Sequence, residues 1–351
     1  MKPEELYRSP NALAPHYRRF RVSERLLLTG HSHQAWPDCG FDAQQQAWLD
    51  AAEHVDDKWE RAFAMADRVR RGFAGLLGDP DGDIALGANT HELVVRLVSA
   101  LPRQRRRILT TDGEFHTLRR QLDRWEEAGD FRVDRLAAEP AVTVGERLAA
   151  AVDESTALVA VSRVFFRNAH IAAGLDRLQE ACLAAGAEEP DGAGGNGERG
   201  GAAVQEPDGA DGEPAAVTYG AGAARFAGAT YDPTSHYRAA AVFDFFARQR
   251  LAPELLRRVS QHQIGRLAAG FDALDADPRV ISRDRETPLQ EIGGFLVLRS
   301  PRAPAICRSL AARGVRADSR GETLRMGPAP YLSDRQLDDA IGILGEVVRG
   351  S

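Results

Sequence analysis

The stretch RRILTTDGEFHTLRRQLDRWEEAG, residues 106–129, reads as a strand (RRILTT), a tight turn and a helix (TLRRQLDRWEEAG). The alternation continues on both sides of it. Upstream, DIALG reads as a short strand before the helix NTHELVVRLVSAL, whose Asn89 and Glu92 have capping-box spacing. Downstream come strand FRVDRL, helix VGERLAAAVD, strand TALVAVSRV and helix GLDRLQEACLAAG. Strands and helices alternating at these lengths argue for a parallel sheet wound with helices on its faces. Further upstream, Trp48, Leu49, Ala52, Val55, Trp59, Phe63, Ala66, Val69, Phe73 and Leu76 recur at helical spacing, and GDP at 78–80 supplies a stop. Residues 42–77 are therefore expected to form one long helix with room for a kink.

The alternation breaks where the next buried strand is due. Residues 188–214, EEPDGAGGNGERGGAAVQEPDGADGEP, are acidic, dense in glycine and nearly free of aliphatic side chains. Such a segment cannot offset its own ordering entropy, so it reads as a disordered linker. After it the sequence resumes with a loop and helix over VTYGAGAARFAGATYDPTSHYRAAAVFDFFARQRL, then the long helix APELLRRVSQHQIGRLAAGFDAL. Strand GGFLVLRS, helix APAICRSLAARG, a strand pair around VRADSRGETLRMG and helix SDRQLDDAIGILGEVV complete a small α+β unit. The expected division is an N-terminal arm (1–30), a large domain (31–186), a Gly/Pro/Glu-rich linker (187–217), and an interface loop, helices and small C-terminal domain (218–351).

Composition narrows the function classes. With 43% hydrophobic and 27% charged residues among 351, the polypeptide can bury a large core and a smaller one. Its 45 basic and 51 acidic residues give a net charge of -6, with no basic excess to recommend nucleic acid or an acidic membrane. Cys39, Cys182 and Cys307 are odd in number and lack CxxC spacing, so neither a disulfide framework nor a zinc site is implied. The charged N-terminus does not read as a signal peptide, and a reduced cytoplasm fits the composition.

Three rims carry candidate chemistry. In LGANTHELV a turn precedes a helix N-terminus whose free amides and dipole suit a phosphate. In TTDGEFHTLRRQ, Phe115 and His116 follow a strand's carboxyl end, where open α/β sheets keep their ligands. VSRVFFRNAH brings Ser162, Arg163 and Asn168 to the same rim.

Together with these rims, the order LLLTGHSHQAWP, IALGANTHELVVR, ILTTDGEFHTLRRQ, ALVAVSRVFFRNAH, RFAGATYDPTSHYRAA and LRMGPAPYLSD resembles the kynureninase branch of the class V aminotransferase superfamily. The resemblance implies the pyridoxal 5′-phosphate (PLP)-dependent fold type I, aspartate aminotransferase-like. That fold has a mostly parallel central sheet with helices on both faces and a small C-terminal domain. The implied parent activity is hydrolytic cleavage of a C–C bond in the side chain of L-kynurenine, giving anthranilate and alanine, by homodimers with sites at the subunit interface. It further implies that Asn89, Thr90 and His91 cradle the cofactor phosphate, that Phe115 stacks on the pyridine ring, and that Thr117 and Ser162 are polar cofactor contacts. Asp232, Ser235 and His236 would lie in a loop reaching the cofactor or substrate across the dimer. His31 would join the substrate site, and Arg325 would grip the substrate α-carboxylate, a job suited to a planar guanidinium.

Two expected elements are missing from the motif order: the strand aspartate that pairs with the pyridine nitrogen, and the lysine of a GGYKY-like segment that forms the Schiff base. The only lysines are Lys2 and Lys58. Lys58 sits beside Asp56 and Asp57 on a polar-faced helix, where it reads as an exposed structural residue. Arginine is no substitute, because it stays protonated and is not a nucleophile. The expectation is an incomplete central sheet and a PLP-fold protein that keeps phosphate-side and carboxylate-side residues, with catalysis lost or severely impaired and no covalent PLP attachment. The alternative is a non-catalytic binding or regulatory subunit, pairing with a complete paralogue. The HxH pair His31/His33, with His116, raises a metal-dependent enzyme as a weaker third reading, since no carboxylate motif accompanies it.

Overall fold

The computed structural model describes residues 1–101, 104–186, 222–226 and 231–350, apart from the side chains of Ala224 and Arg225. The expected linker at 187–217 lies outside the described residues. The N-terminal elements are α1 (Pro3–Tyr7), β1 (Leu26–Leu27), α2 (Asp38–His54), α3 (Lys58–Leu77) and α4 (Thr90–Ser99). The middle of the sequence forms β2 (Arg107–Thr111), α5 (His116–Glu127), β3 (Arg132–Leu136), α6 (Val144–Ala151), β4 (Thr156–Ala160) and α7 (Leu175–Ala184). The C-terminal part forms α8 (Thr234–Gln249), α9 (Pro253–Ala273), β5 (Ser282–Arg283), β6 (Leu296–Arg299), α10 (Ala303–Ala312), β7 (Val315–Arg316), β8 (Asp318–Arg320), β9 (Thr323–Met326) and α11 (Asp334–Arg349). No helix among the described residues is long and apolar enough to cross a membrane.

The parallel sheet runs β3-β2-β4, with Ile108 opposite Val133 and Leu109 opposite Val159. Alternation along β2 sends successive side chains to opposite faces. Ile108 joins Leu122 of α5 and Val133, while Leu109 joins Val144 and Leu148 of α6 and Leu178 of α7. Helices thus cover both faces, which is what a parallel sheet requires.

A second core unites the two ends of the polypeptide. Leu6, Leu13, Tyr17 and Leu28 bury themselves with Leu267 and Phe271 of α9, Leu298 of β6, and Leu337 and Leu344 of α11. β1 pairs in parallel with β7, and the ladder continues as the Gly30 amide donates to the Gly327 carbonyl at 2.7 Å and the Gly327 amide to the Leu28 carbonyl at 2.8 Å. The antiparallel sheet beside it runs β5-β6-β9-β8. The two units meet along the segment after β4, where Gly293 donates to the Ala169 carbonyl at 2.7 Å and Ile171 to the Glu291 carbonyl at 2.9 Å.

Two expectations are corrected. The single helix over 42–77 is two helices, α2 and α3, separated by a 3₁₀ turn at Val55–Asp57, with Val55 at φ 48°. A β-branched residue in the left-handed region ends helical hydrogen bonding, so the break is sharp. The strand at DIALG is absent: residues 83–87 form no ladder, for among the described residues no strand lies beside them.

Gly145, in the first turn of α6, lies so close to the loop before α7 that a Cβ there would collide with backbone atoms of Ala173 and Gly174, whereas a Cβ at Gly75 of α3 meets nothing within 4 Å. Gly145→Ala is therefore expected to destabilise the protein by about 1–3 kcal/mol or more through overpacking. Gly75→Ala is expected to stabilise it by up to about 1 kcal/mol through helix propensity. Urea unfolding of the two variants checks both signs.

Candidate functional site

β8 and β9 form a hairpin whose register sets Asp318 directly opposite Arg325. Opposite charges at paired positions attract across the strands. The Arg325 Nε donates to Asp318 Oδ1 at 2.8 Å and its Nη2 donates to Oδ2, a two-point grip. Nη1 reaches across to the parallel-sheet unit and donates to the Phe166 carbonyl at 2.9 Å. Arg325 is only 5% exposed.

The ladder between residues 28–30 and Gly327 delivers His31 to the same carboxylate, with Nε2 at 3.2 Å from Asp318 Oδ1. Gly327 makes this approach possible, because a Cβ there would collide with His31 Nδ1. The His31 ring lies over Phe295 at 4.7 Å, and the Arg325 guanidinium stands 5.7 Å from the same ring. His31 Nδ1 is buried and has no hydrogen-bond partner among the described residues. Burial pushes the Asp318 carboxyl up, but the hydrogen bonds from His31 and Arg325 and the Arg325 charge prevail and hold it well below the usual carboxylate range.

Phe166 links this trio to the sheet rim. Its ring meets Phe115 edge-on at 5.3 Å, and Phe115 lies 4.0 Å from His116. Phe115 is 43% exposed and offers an open aromatic face at the N-terminus of α5. Thr117 lies in the first turn of the same helix and is half-buried. Ser162 is already engaged: its amide and hydroxyl donate to the buried Glu114 carboxylate at 3.0 and 2.5 Å, and Thr111 adds a third bond at 2.7 Å.

Asn89 caps α4, accepting from the Glu92 amide at 2.9 Å, and Asn89, Thr90 and His91 are all exposed at that helix end. Glu92 closes the same end by accepting from the Ala88 amide at 3.1 Å and pairing with Arg96. Asp232, Ser235 and His236 gather at the start of α8, a helix that packs against α2 and α3. Asp232 accepts from Thr234, Ser235 is exposed, and His236 lies against Tyr231, which in turn meets Trp59 of α3. Burial, aided by Arg70, pushes the His236 imidazole down, and its buried Nδ1 has no partner among the described residues. Lys58 starts α3 and donates to the Val55 carbonyl at 3.0 Å. His33 is exposed while His31 is engaged with Asp318, and no group of metal-binding side chains converges among the described residues.

Sequence reading singled out Arg325 and His31 but missed Asp318, Phe166, Phe295 and Glu114. Asp318 left a signal: a two-residue turn at Gly321–Glu322, with Gly321 at φ 56°, sets the register that pairs 318 with 325. The other three are assembled by contacts distant in sequence, for which no local pattern exists.

Solved structures share this architecture. A C-DES mutant with glycine covalently linked to its PLP cofactor aligns at TM-score 0.73 with 16% identity, over 95% of this chain and 98% of that one. The cysteine desulfurase CsdA from Escherichia coli aligns at 0.71 with 14% identity, over 99% of each partner in the alignment. The apo cysteine desulfurase from Thermococcus onnurineus NA1 aligns at 0.70 with 14% identity, over 93% of this chain and 96% of that one. The protein has the fold of the PLP-dependent class V aminotransferases. At these identities the likeness fixes the fold and leaves the reaction open. No protein-family model matches the sequence, and no curated protein does.

Asp318→Asn strips the buried Arg325 of its counter-charge and is expected to cost about 3–5 kcal/mol at neutral pH. Because the folded Asp318 titrates below the unfolded carboxyl, its contribution is full above about pH 4 and is lost as pH falls further. Urea unfolding of both proteins from pH 7 downward should show the gap narrowing only below about pH 4.

Proposed function

We propose that this protein is kynureninase-like, holding PLP non-covalently and an amino-acid ligand by its carboxylate, with the parent hydrolysis of L-kynurenine-type aryl-keto amino acids lost or severely impaired. The observation that carries this reading is Arg325. Its three hydrogen bonds leave one N–H on each terminal nitrogen uncommitted among the described residues, and one of them ties it to the backbone of Phe166, whose ring meets Phe115.

The residues fit part of the cofactor. The exposed face of Phe115 suits a flat, electron-poor ring, and the first-turn amides of Thr90 and His91, with Asn89, suit a phosphate that can displace the Glu92 carboxylate from the helix end. PLP, when bound, supplies an electron-accepting ring for bonds broken next to the substrate amine. This reading has no covalent link: Lys58, the sole lysine beyond Lys2, starts α3, where it donates to the Val55 carbonyl. The buried Glu114 is engaged by Ser162 and Thr111, accepting three hydrogen bonds from them. In this reading the protein's own groups orient a ligand: Arg325 holds its carboxylate and Phe115 holds the ring.

The second reading, a binding or regulatory subunit paired with a second copy or a complete paralogue, is favoured by the apolar face of α2 and α3. Trp48 is 78% exposed and Leu77 72%, with Leu49, Phe63, Phe73 and Leu76 also open to solvent. A surface of this kind marks an interface. In it, Asp232, Ser235 and His236 would serve the partner's site.

Adding PLP to the purified protein is expected to give saturable binding, and borohydride reduction followed by mass spectrometry to find no pyridoxyl-lysine. Modification of Lys58 together with robust turnover of L-kynurenine would sink the reading of lost catalysis. Light scattering of the paired variant Trp48→Asp, Leu77→Asp tests association: a mass shift from dimer to monomer is expected, and an unchanged mass removes this face as the interface.

A further inference from the structure

The trio His31, Asp318 and Arg325 poses a charge problem for any anionic ligand. Arg325 and Asp318 neutralise each other through their two-point contact, so with a neutral His31 the buried trio carries no net charge. A ligand carboxylate arriving at Arg325 would leave one uncompensated negative charge in a site where Arg325 is 5% exposed and the His31 side chain 4%. Burying an unbalanced charge is costly, and a site avoids it by changing protonation state.

Among the described residues, charged and titratable groups approach the trio from α10, from α5 and from the segment after β4. Cys307 stands on α10 within reach of Asp318, with Arg308 next to it, His116 on α5 beyond Phe166, and Arg167 over the Phe166 ring. Burial pushes the Cys307 thiol up, and Asp318 adds to the shift, so that group has no proton to gain at neutral pH. Both arginines are already protonated. That leaves the two imidazoles, and only His31 touches Asp318. One nitrogen of His31 serves Asp318, and the other, Nδ1, is buried with no partner among the described residues. With Nε2–H turned to Asp318, the lone pair of Nδ1 accepts from no donor among the described residues and is open to a proton.

We propose that carboxylate binding at Arg325 is coupled to the uptake of one proton, which His31 accepts at Nδ1. The proton comes from solvent; the Nδ1–H bond forms, the imidazole becomes cationic, and the trio plus ligand returns to zero net charge. Asp318 thereby acts as a specificity residue, admitting a carboxylate only together with a proton. The proposal rests on the reading of Arg325 as the carboxylate site.

The test compares L-kynurenine with kynuramine, its decarboxylated analogue, by calorimetric titration of the PLP-saturated full-length protein at pH 6–9 in buffers of different ionisation enthalpy. The difference between the two ligands cancels protons exchanged by the amine and the cofactor. Kynurenine is expected to take up one more proton than kynuramine, and its affinity advantage to fall about tenfold per pH unit once His31 is neutral. Asp318→Asn should make that advantage independent of pH and larger at pH 9, and His31→Gln should make it small and flat. A flat advantage in the native protein overturns the proton coupling, as does a slope that survives in His31→Gln and vanishes in His116→Asn. Equal binding of the two ligands at every pH, in the native protein and in Asp318→Asn, overturns the carboxylate reading itself.

Discussion

Arg325 is the point where three parts of the protein are held to one another. Its guanidinium takes both oxygens of Asp318 from the adjacent strand and the Phe166 carbonyl from the parallel-sheet unit. The grip depends on register. A one-residue slip between β8 and β9 would send either side chain to the opposite face of the sheet and leave a buried charge alone. Around this pair the other constraints are arranged: Gly327 leaves room for His31, Phe295 lies under both, and the ladder from Leu28 to Gly327 brings the N-terminal segment in.

The meeting of the two units is built from the same segment that supplies the Phe166 carbonyl. Ala169 and Ile171 bond to Gly293 and Glu291, and His170 sits between Glu139 at 2.9 Å and Asp284 at 3.2 Å. Burial pushes the Asp284 carboxyl up, but Thr287, two backbone amides and His170 hold it down at about 2. Backbone bonds and a charged cluster thus lock the loop that presents Phe166 to Arg325 and Phe115. The aromatic platform and the guanidinium keep their spacing because both are fixed to one short segment.

The fold is shared with cysteine desulfurases, yet the chemistry a fold hosts lives in its side chains. This protein has a buried arginine paired with an aspartate, an open aromatic face and a capped helix end, while its two lysines lie at the N-terminus and on α3. A guanidinium can orient and neutralise, but it cannot form a Schiff base.

Local pattern carried the reading where one element repeats a clear period. The strand and helix at 106–129 appear as β2 and α5 because β2 is apolar on both faces and the helix that follows has one buried stripe. The same logic failed at Val55, where a left-handed residue splits a continuous apolar stripe, and at DIALG, where β propensity exists but no strand among the described residues pairs with it. By itself the sequence determined the alternating α/β order, the arginine before the GPAP turn, the phenylalanine at the sheet rim and a lysine count of two. Only the tertiary structure decided that Arg325 is already paired with Asp318, that His31 shares that carboxylate, and that Ser162 is spent on Glu114. The reason is range: periodicity reports which face of an element is buried, whereas these pairings join residues 7 to 287 positions apart, and their charges matter only once burial removes the water between them.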